Sequence, residues 1–94
     1  MIRHIVMWKF RPGTENEAET FLSRLTALKG QIPELLDMTV RRSCQPGAHY
    51  DAVLCADFDD LAALERYKTD PRHVAVSSLC RAIREDRADI DVEI

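Results

Sequence analysis

The nine residues from Ile2 to Phe10, IRHIVMWKF, constrain the fold more than any other stretch of the chain. β-Branched and aromatic side chains favour extended backbone, and alternate residues of a strand share a face. Ile2, His4, Val6, Trp8 and Phe10 therefore lie on one side, and Ile5 and Met7 lie on the other between Arg3 and Lys9. A strand that is apolar at its centre on both faces belongs inside a sheet covered on two sides. The rest of the chain must supply a cover for each face.

The first cover follows at once. Pro12-Gly13 ends the strand, and Thr14 with Glu17 has the T-x-x-E spacing of a capping box at a helix start. Ala18, Phe21, Leu22, Leu25, Leu28 and Ile32 recur at helical spacing against an outer face of Glu15, Glu19 and Arg24, and Gly30 is a stop signal. Leu36 to Ser43 then alternates as a half-buried strand, with Leu36, Met38 and Val40 inward. Gln45-Pro46-Gly47 turns the chain into a third strand, Tyr50 to Phe58, with Tyr50, Ala52, Leu54, Ala56 and Phe58 on one face and Val53 and Cys55 on the other.

Asp59 or Asp60 caps a second helix with Leu61, Leu64 and Tyr67 on one side, and Asp70-Pro71 restarts it so that Val76, Leu79, Cys80 and Ile83 repeat. The closing ADIDVEI alternates Ile90, Val92 and Ile94 with acidic residues, the fourth strand, whose acidic side reads as a solvated face. The order β-α-β-β-α-β is that of a ferredoxin-like split βαβ, an α+β fold with both helices on one face of a four-stranded antiparallel sheet. The opposite face, with Ile5, Met7, Val53 and Cys55, stays uncovered, and an apolar patch of that kind marks an association surface. Pairing of two copies through these sheet faces is the simplest closure.

Composition agrees. Ninety-four residues make one domain, residues 1–94, since domains usually run to roughly 100 to 150 residues. So short a chain gains from a second subunit covering its open face. A net charge of -3, with Arg41-Arg42 the one adjacent basic pair, argues against nucleic acid as a partner. Cys44, Cys55 and Cys80 are odd in number and lack zinc spacing, which fits a reducing, cytoplasmic setting. No uncharged run reaches membrane-spanning length, and His4, His49 and His73 stand far apart in sequence, without a metal-ligand pattern. Neither a membrane, a metal nor a cofactor is expected.

Three separated segments carry a family resemblance: I-R-H-I-V-M-W-K-F at the start, Y-D-x-x-L-x-x-x-F from Tyr50 to Phe58, and Y-x-x-D-P-x-H from Tyr67 to His73. With the I-P after the first helix, they resemble the stress-responsive dimeric α/β-barrel (Dabb) family. That resemblance implies a ferredoxin-like protomer and a homodimer with facing sheets, an α/β barrel. Most members have no assigned reaction. The distant likeness to the plant member olivetolic acid cyclase, which closes a linear polyketide by aldol condensation, implies catalytic roles for Tyr67, His73 and His4. Asp70 stands where that relative has a further His.

The residues make their own case for His73. With Asp70 as N-cap and Pro71 first, it falls in the first turn of a helix, where the positive dipole end disfavours imidazolium. A neutral ring accepts a proton, abstraction α to a carbonyl needs such a base and a donor for the enolate oxygen, and Tyr67 would supply the donor. Asp70 pulls the other way, favouring a charged ring. A His on an apolar face such as that of His4 is otherwise a hydrogen-bonded core residue. Val6, Trp8, Phe21, Leu22, Leu25, Leu54 and Val76 converge on the helix side, where they either line a cleft for a small apolar or aromatic ligand or fill a core, with Trp8 deciding which.

Two readings from different classes follow. One is a small-molecule-binding dimer acting as a cofactor-independent cyclase or lyase, by proton transfer, on a polyketide-like or phenolic substrate. The other is a non-enzymatic stress-associated dimer with a packed interior. A cofactor-free oxygenase is a third.

Overall fold

The computed structural model describes residues 1–94. Its elements run β1 (Ile2–Phe10), α1 (Glu15–Thr26), β2 (Asp37–Arg42), β3 (Ala52–Phe58), α2 (Leu61–Thr69), α3 (Pro71–Ile83) and β4 (Arg84–Glu93). The sheet is antiparallel throughout, in the order β2-β3-β1-β4. This is the ferredoxin-like fold expected from the pattern, with the second helix divided in two.

β1 occupies the interior position its two apolar faces required. His4, Val6 and Trp8 lie opposite Ala56, Leu54 and Ala52 of β3 on one flank. On the other flank they lie opposite Asp91, Asp89 and Arg87 of β4. The apolar members of this set bury under α1 and α3, and the core is closed by Phe21, Leu25, Ile32, Phe58, Leu64 and Tyr67. Trp8 and Phe21 meet edge to face with centroids 5.2 Å apart. The other face presents Ile5, Met7, Val53 and Cys55, joined by Ala88 and Ile90, and carries no helix.

Several local expectations give way to tertiary demands. Thr14 makes no side-chain cap: its hydroxyl donates to the Arg11 carbonyl at 2.6 Å, so the capping box does not form. The helix ends at Thr26, short of Gly30, because Leu28 and Lys29 reach back only to the carbonyls of Leu25 and Thr26, three residues away. Tight turns there still bury Leu28 and Ile32, and Gly30 takes φ +86° beyond the helix. Leu36 precedes β2 and is exposed, while Leu35 fills the core in its place. Leu61 at the start of α2 is also exposed, leaving Ala63, Leu64 and Tyr67 as that helix's buried side.

β3 begins at Ala52, two residues after the expected Tyr50. β4 begins at Arg84, four residues before the alternating ADIDVEI, because β1 offers unpaired backbone as far as Phe10. Pairing with that strand, and no local hydrophobic signal, extends β4 through the charged residues 84–87. Its acidic row is not simply a solvated face. Asp89 and Asp91 stand on the helix side of the sheet, across from Val6 and His4.

Candidate functional site

His4 and His73 line the same cavity, a cleft of about 340 Å³ between the sheet and the junction of α2 and α3. Its walls are His4, Val6 and Trp8 of β1, Phe21 and Leu25 of α1, Leu54 of β3, Tyr67 and Lys68 of α2, residues of α3 including His73, and Arg84 and Arg87 of β4. The volume sits at the lower end of the roughly 300–1,000 Å³ typical of ligand sites. A larger recess of about 460 Å³ lies against the β2–β3 loop, but polar loop residues dominate it and it holds no histidine. The chemistry concentrates in the smaller cleft.

The break between the helices positions His73. Asp70 is the C-cap of α2 and the N-cap of α3, and its carboxylate accepts from the Arg72 amide at 2.9 Å. The Arg72 side chain holds the same carboxylate and donates to the Gln31 carbonyl at 2.6 Å, tying the junction to the loop after α1. Arg72 thereby keeps the Asp70 carboxyl down at about 2. His73 turns its Nδ1 toward the Lys68 carbonyl at 3.1 Å. A carbonyl only accepts, so Nδ1 carries the proton and Nε2 of the neutral ring is left as an acceptor.

Burial lowers the pKa of His73 below its ordinary value, His4 and Arg87 add to the effect, and the Lys68 carbonyl and Asp70 oppose it without reversing it. Neutral imidazole with an uncommitted Nε2 is the form a general base requires. The ring of Tyr67 lies beside it, with centroids 4.3 Å apart. Tyr67 is 1% exposed and packs on Phe58. Its hydroxyl has no partner within the chain and is not sealed from the surroundings, and the residue lines the cavity. Burial pushes the phenol well above its ordinary pKa, keeping it a hydrogen-bond donor.

His4, 4% exposed, places Nδ1 at 2.5 Å from the Asp91 carboxylate. That contact fixes the ring and leaves Nε2 without a partner in the chain, on a residue that lines the cavity. Cys80, also in the wall, has its thiol pKa raised by burial despite the nearby Arg84 and Arg87, so it stays a thiol and not a nucleophile.

The fold thus brings the three residues Tyr67, His73 and His4 together, with Val6, Trp8, Phe21, Leu25 and Leu54 as an apolar floor. Leu22 and Val76 are buried in the core and do not line the cavity. Trp8 packs into the floor against Phe21 and leaves the cleft open above it. Lys68, Arg84, Arg87 and Asp91 escaped the sequence reading. Their charges looked like solvent-facing decoration, and only the register of β4 against β1 puts Arg87 and Asp91 on the inner side.

These features define a ferredoxin-like α+β protein with a histidine-lined cavity on the helix side of its sheet. The chain belongs to the stress responsive A/B barrel domain family, Dabb, whose model matches residues 2–94. It is similar to a dimeric protein of unknown function from Bacteroides fragilis, at 28% identity and a TM-score of 0.86, over 99% of this chain and 95% of that one. Two enzymes share the fold at lower identity. The hydroxynitrile lyase of Passiflora edulis is 13% identical with a TM-score of 0.87, over 99% of this chain and 92% of its own. SnoaB, a cofactor-independent oxygenase from Streptomyces nogalater, is 17% identical with a TM-score of 0.79, over 99% and 91%. No curated protein matches the sequence significantly.

Proposed function

We propose that this Dabb protein is a homodimer that binds a small apolar or aromatic molecule in the cavity and acts on it, without a cofactor, as a cyclase or lyase by proton transfer. A polyketide-like or phenolic carbonyl compound suits the site. His73 Nε2 takes the proton α to the carbonyl, and the electron pair moves onto the carbonyl oxygen, where the Tyr67 hydroxyl donates a hydrogen bond to the enolate. In an aldol-type closure the enolate carbon then attacks a second carbonyl carbon, and the new alkoxide takes the proton back from His73. His4, held by Asp91, offers a further polar contact to the substrate. The three unpaired cysteines suit a reducing, cytoplasmic setting.

One observation carries this reading: a neutral His73 with its Nδ1 tied to the Lys68 carbonyl lies ring against ring with Tyr67, whose hydroxyl has no partner of its own. The test is α-proton exchange of a phenyl alkyl ketone in D2O, followed by proton NMR. Wild type should accelerate exchange, His73→Ala should remove roughly 10²–10⁴-fold of the acceleration, and Tyr67→Phe should remove roughly 10²–10³-fold. No acceleration by wild type would overturn the catalytic reading. The internal hydrogen bonds of His4 to Asp91 and of His73 to the Lys68 carbonyl favour a second one, a non-enzymatic stress-associated dimer.

Dimerisation rests on the uncovered sheet face. Ile5, Met7, Val53 and Cys55 are half-buried, Ile90 is 57% exposed, and no element of the same chain covers them. The Bacteroides fragilis neighbour is described as dimeric.

A further inference from the structure

Of the residues lining the cavity, none is acidic and four are Lys or Arg, in a chain whose acidic residues outnumber its basic ones by 16 to 13. Arg87 is already engaged, with Asp89 at 2.6 Å. Lys68, Arg81 and Arg84 make no ion pair and their side chains make no hydrogen bond, as is also true of Arg11 and Arg24 outside the cavity, and the nearest carboxylate acting on Lys68 is Asp89. The cavity therefore combines an apolar floor of Val6, Trp8, Phe21 and Leu54 with unpaired cations contributed by α2, α3 and β4.

We infer that the ligand of this cavity is an amphiphilic carboxylate, an aromatic or short-chain acid whose apolar body lies on Trp8 and Phe21 and whose carboxylate is held by Arg84, Arg81 and Lys68. The inference rests on the binding role proposed above and names its substrate class. The Arg87–Asp89 pair shows the same recognition made within the chain. A guanidinium prefers the planar, two-oxygen acceptor of a carboxylate. A volume of about 340 Å³ suits a single ring or a short chain more than a large conjugate.

Isothermal titration calorimetry of the intact protein with 4-butylbenzoate and with 4-butylbenzyl alcohol, which share an apolar body, tests this. The acid should bind at least tenfold more tightly than the alcohol, and that advantage should shrink as salt is raised. Arg84→Gln and Lys68→Gln should each weaken the acid by roughly tenfold while leaving alcohol affinity and melting temperature unchanged. If the alcohol binds as tightly as the acid and Tyr67→Phe weakens it, the carboxylate assignment is overturned and the cavity reading survives. If neither compound binds, both are overturned.

Discussion

At Tyr67 the ring and the hydroxyl do different work. The ring is buried between Phe58 and His73, so Tyr67→Ala should cost about 3–5 kcal/mol in urea denaturation, as large aromatic deletions in cores do. The hydroxyl has no partner within the chain, so Tyr67→Phe should change stability by less than about 0.5 kcal/mol. A large loss for Tyr67→Phe would mean that the hydroxyl is structural. His73 adds a pH signature. Its folded-state pKa lies below the ordinary 6.5, so the unfolded chain binds the proton more readily than the folded one. The stability this contributes is complete above pH about 6.5 and is lost as pH falls toward the lowered value. Melting temperature should drop between pH roughly 7.5 and 5.5, and the drop should be smaller in His73→Gln. Asp70, held at about 2, works in a separate window: its contribution persists until the pH falls below the ordinary 3.8. The place of His73 in the first turn of α3 was legible in the sequence because Asp70-Pro71 announces a helix start, whereas Tyr67 and His4 were singled out by the family resemblance. The cavity's cations were not legible, since nothing local distinguishes Arg84 from the other surface arginines.

Elements separate into those closed by local chemistry and those closed by neighbours. Asp60 and Asp70 both cap as their positions suggest, accepting from the amides of Ala63 and Arg72 at 2.8 and 2.9 Å. Thr14 has the right residue type and spacing but points its hydroxyl back to Arg11. Asp70→Ala should therefore cost about 0.5–2 kcal/mol and loosen the α2–α3 junction, while Thr14→Ala should cost only a few tenths. Equal effects in chemical denaturation would contradict these cap geometries. β4 makes the same point for strands. Residues 88–93 alternate and read as a strand by themselves, whereas residues 84–87 are charged throughout and become strand only because β1 is there to pair with.

For the whole molecule, the decisive feature is a sheet apolar on both faces with helices on one. If two copies close over the open face, a charge at its centre should break them apart: Met7→Asp or Ile90→Asp should turn a dimer into a monomer in sedimentation at micromolar concentration. A wild-type monomer under the same conditions would remove the dimer from the proposal. The sequence alone determined the order of elements, the inner position of β1 and the need for two covers, because those follow from side-chain periodicity, which each segment carries within itself. Tertiary structure alone decided that His4, Tyr67 and His73 share one cavity, that Asp91 reaches His4, and that Lys68, Arg81 and Arg84 line that cavity too. Those facts depend on strand register and on the angle between two helices, and such long-range geometry is set by packing the whole core at once.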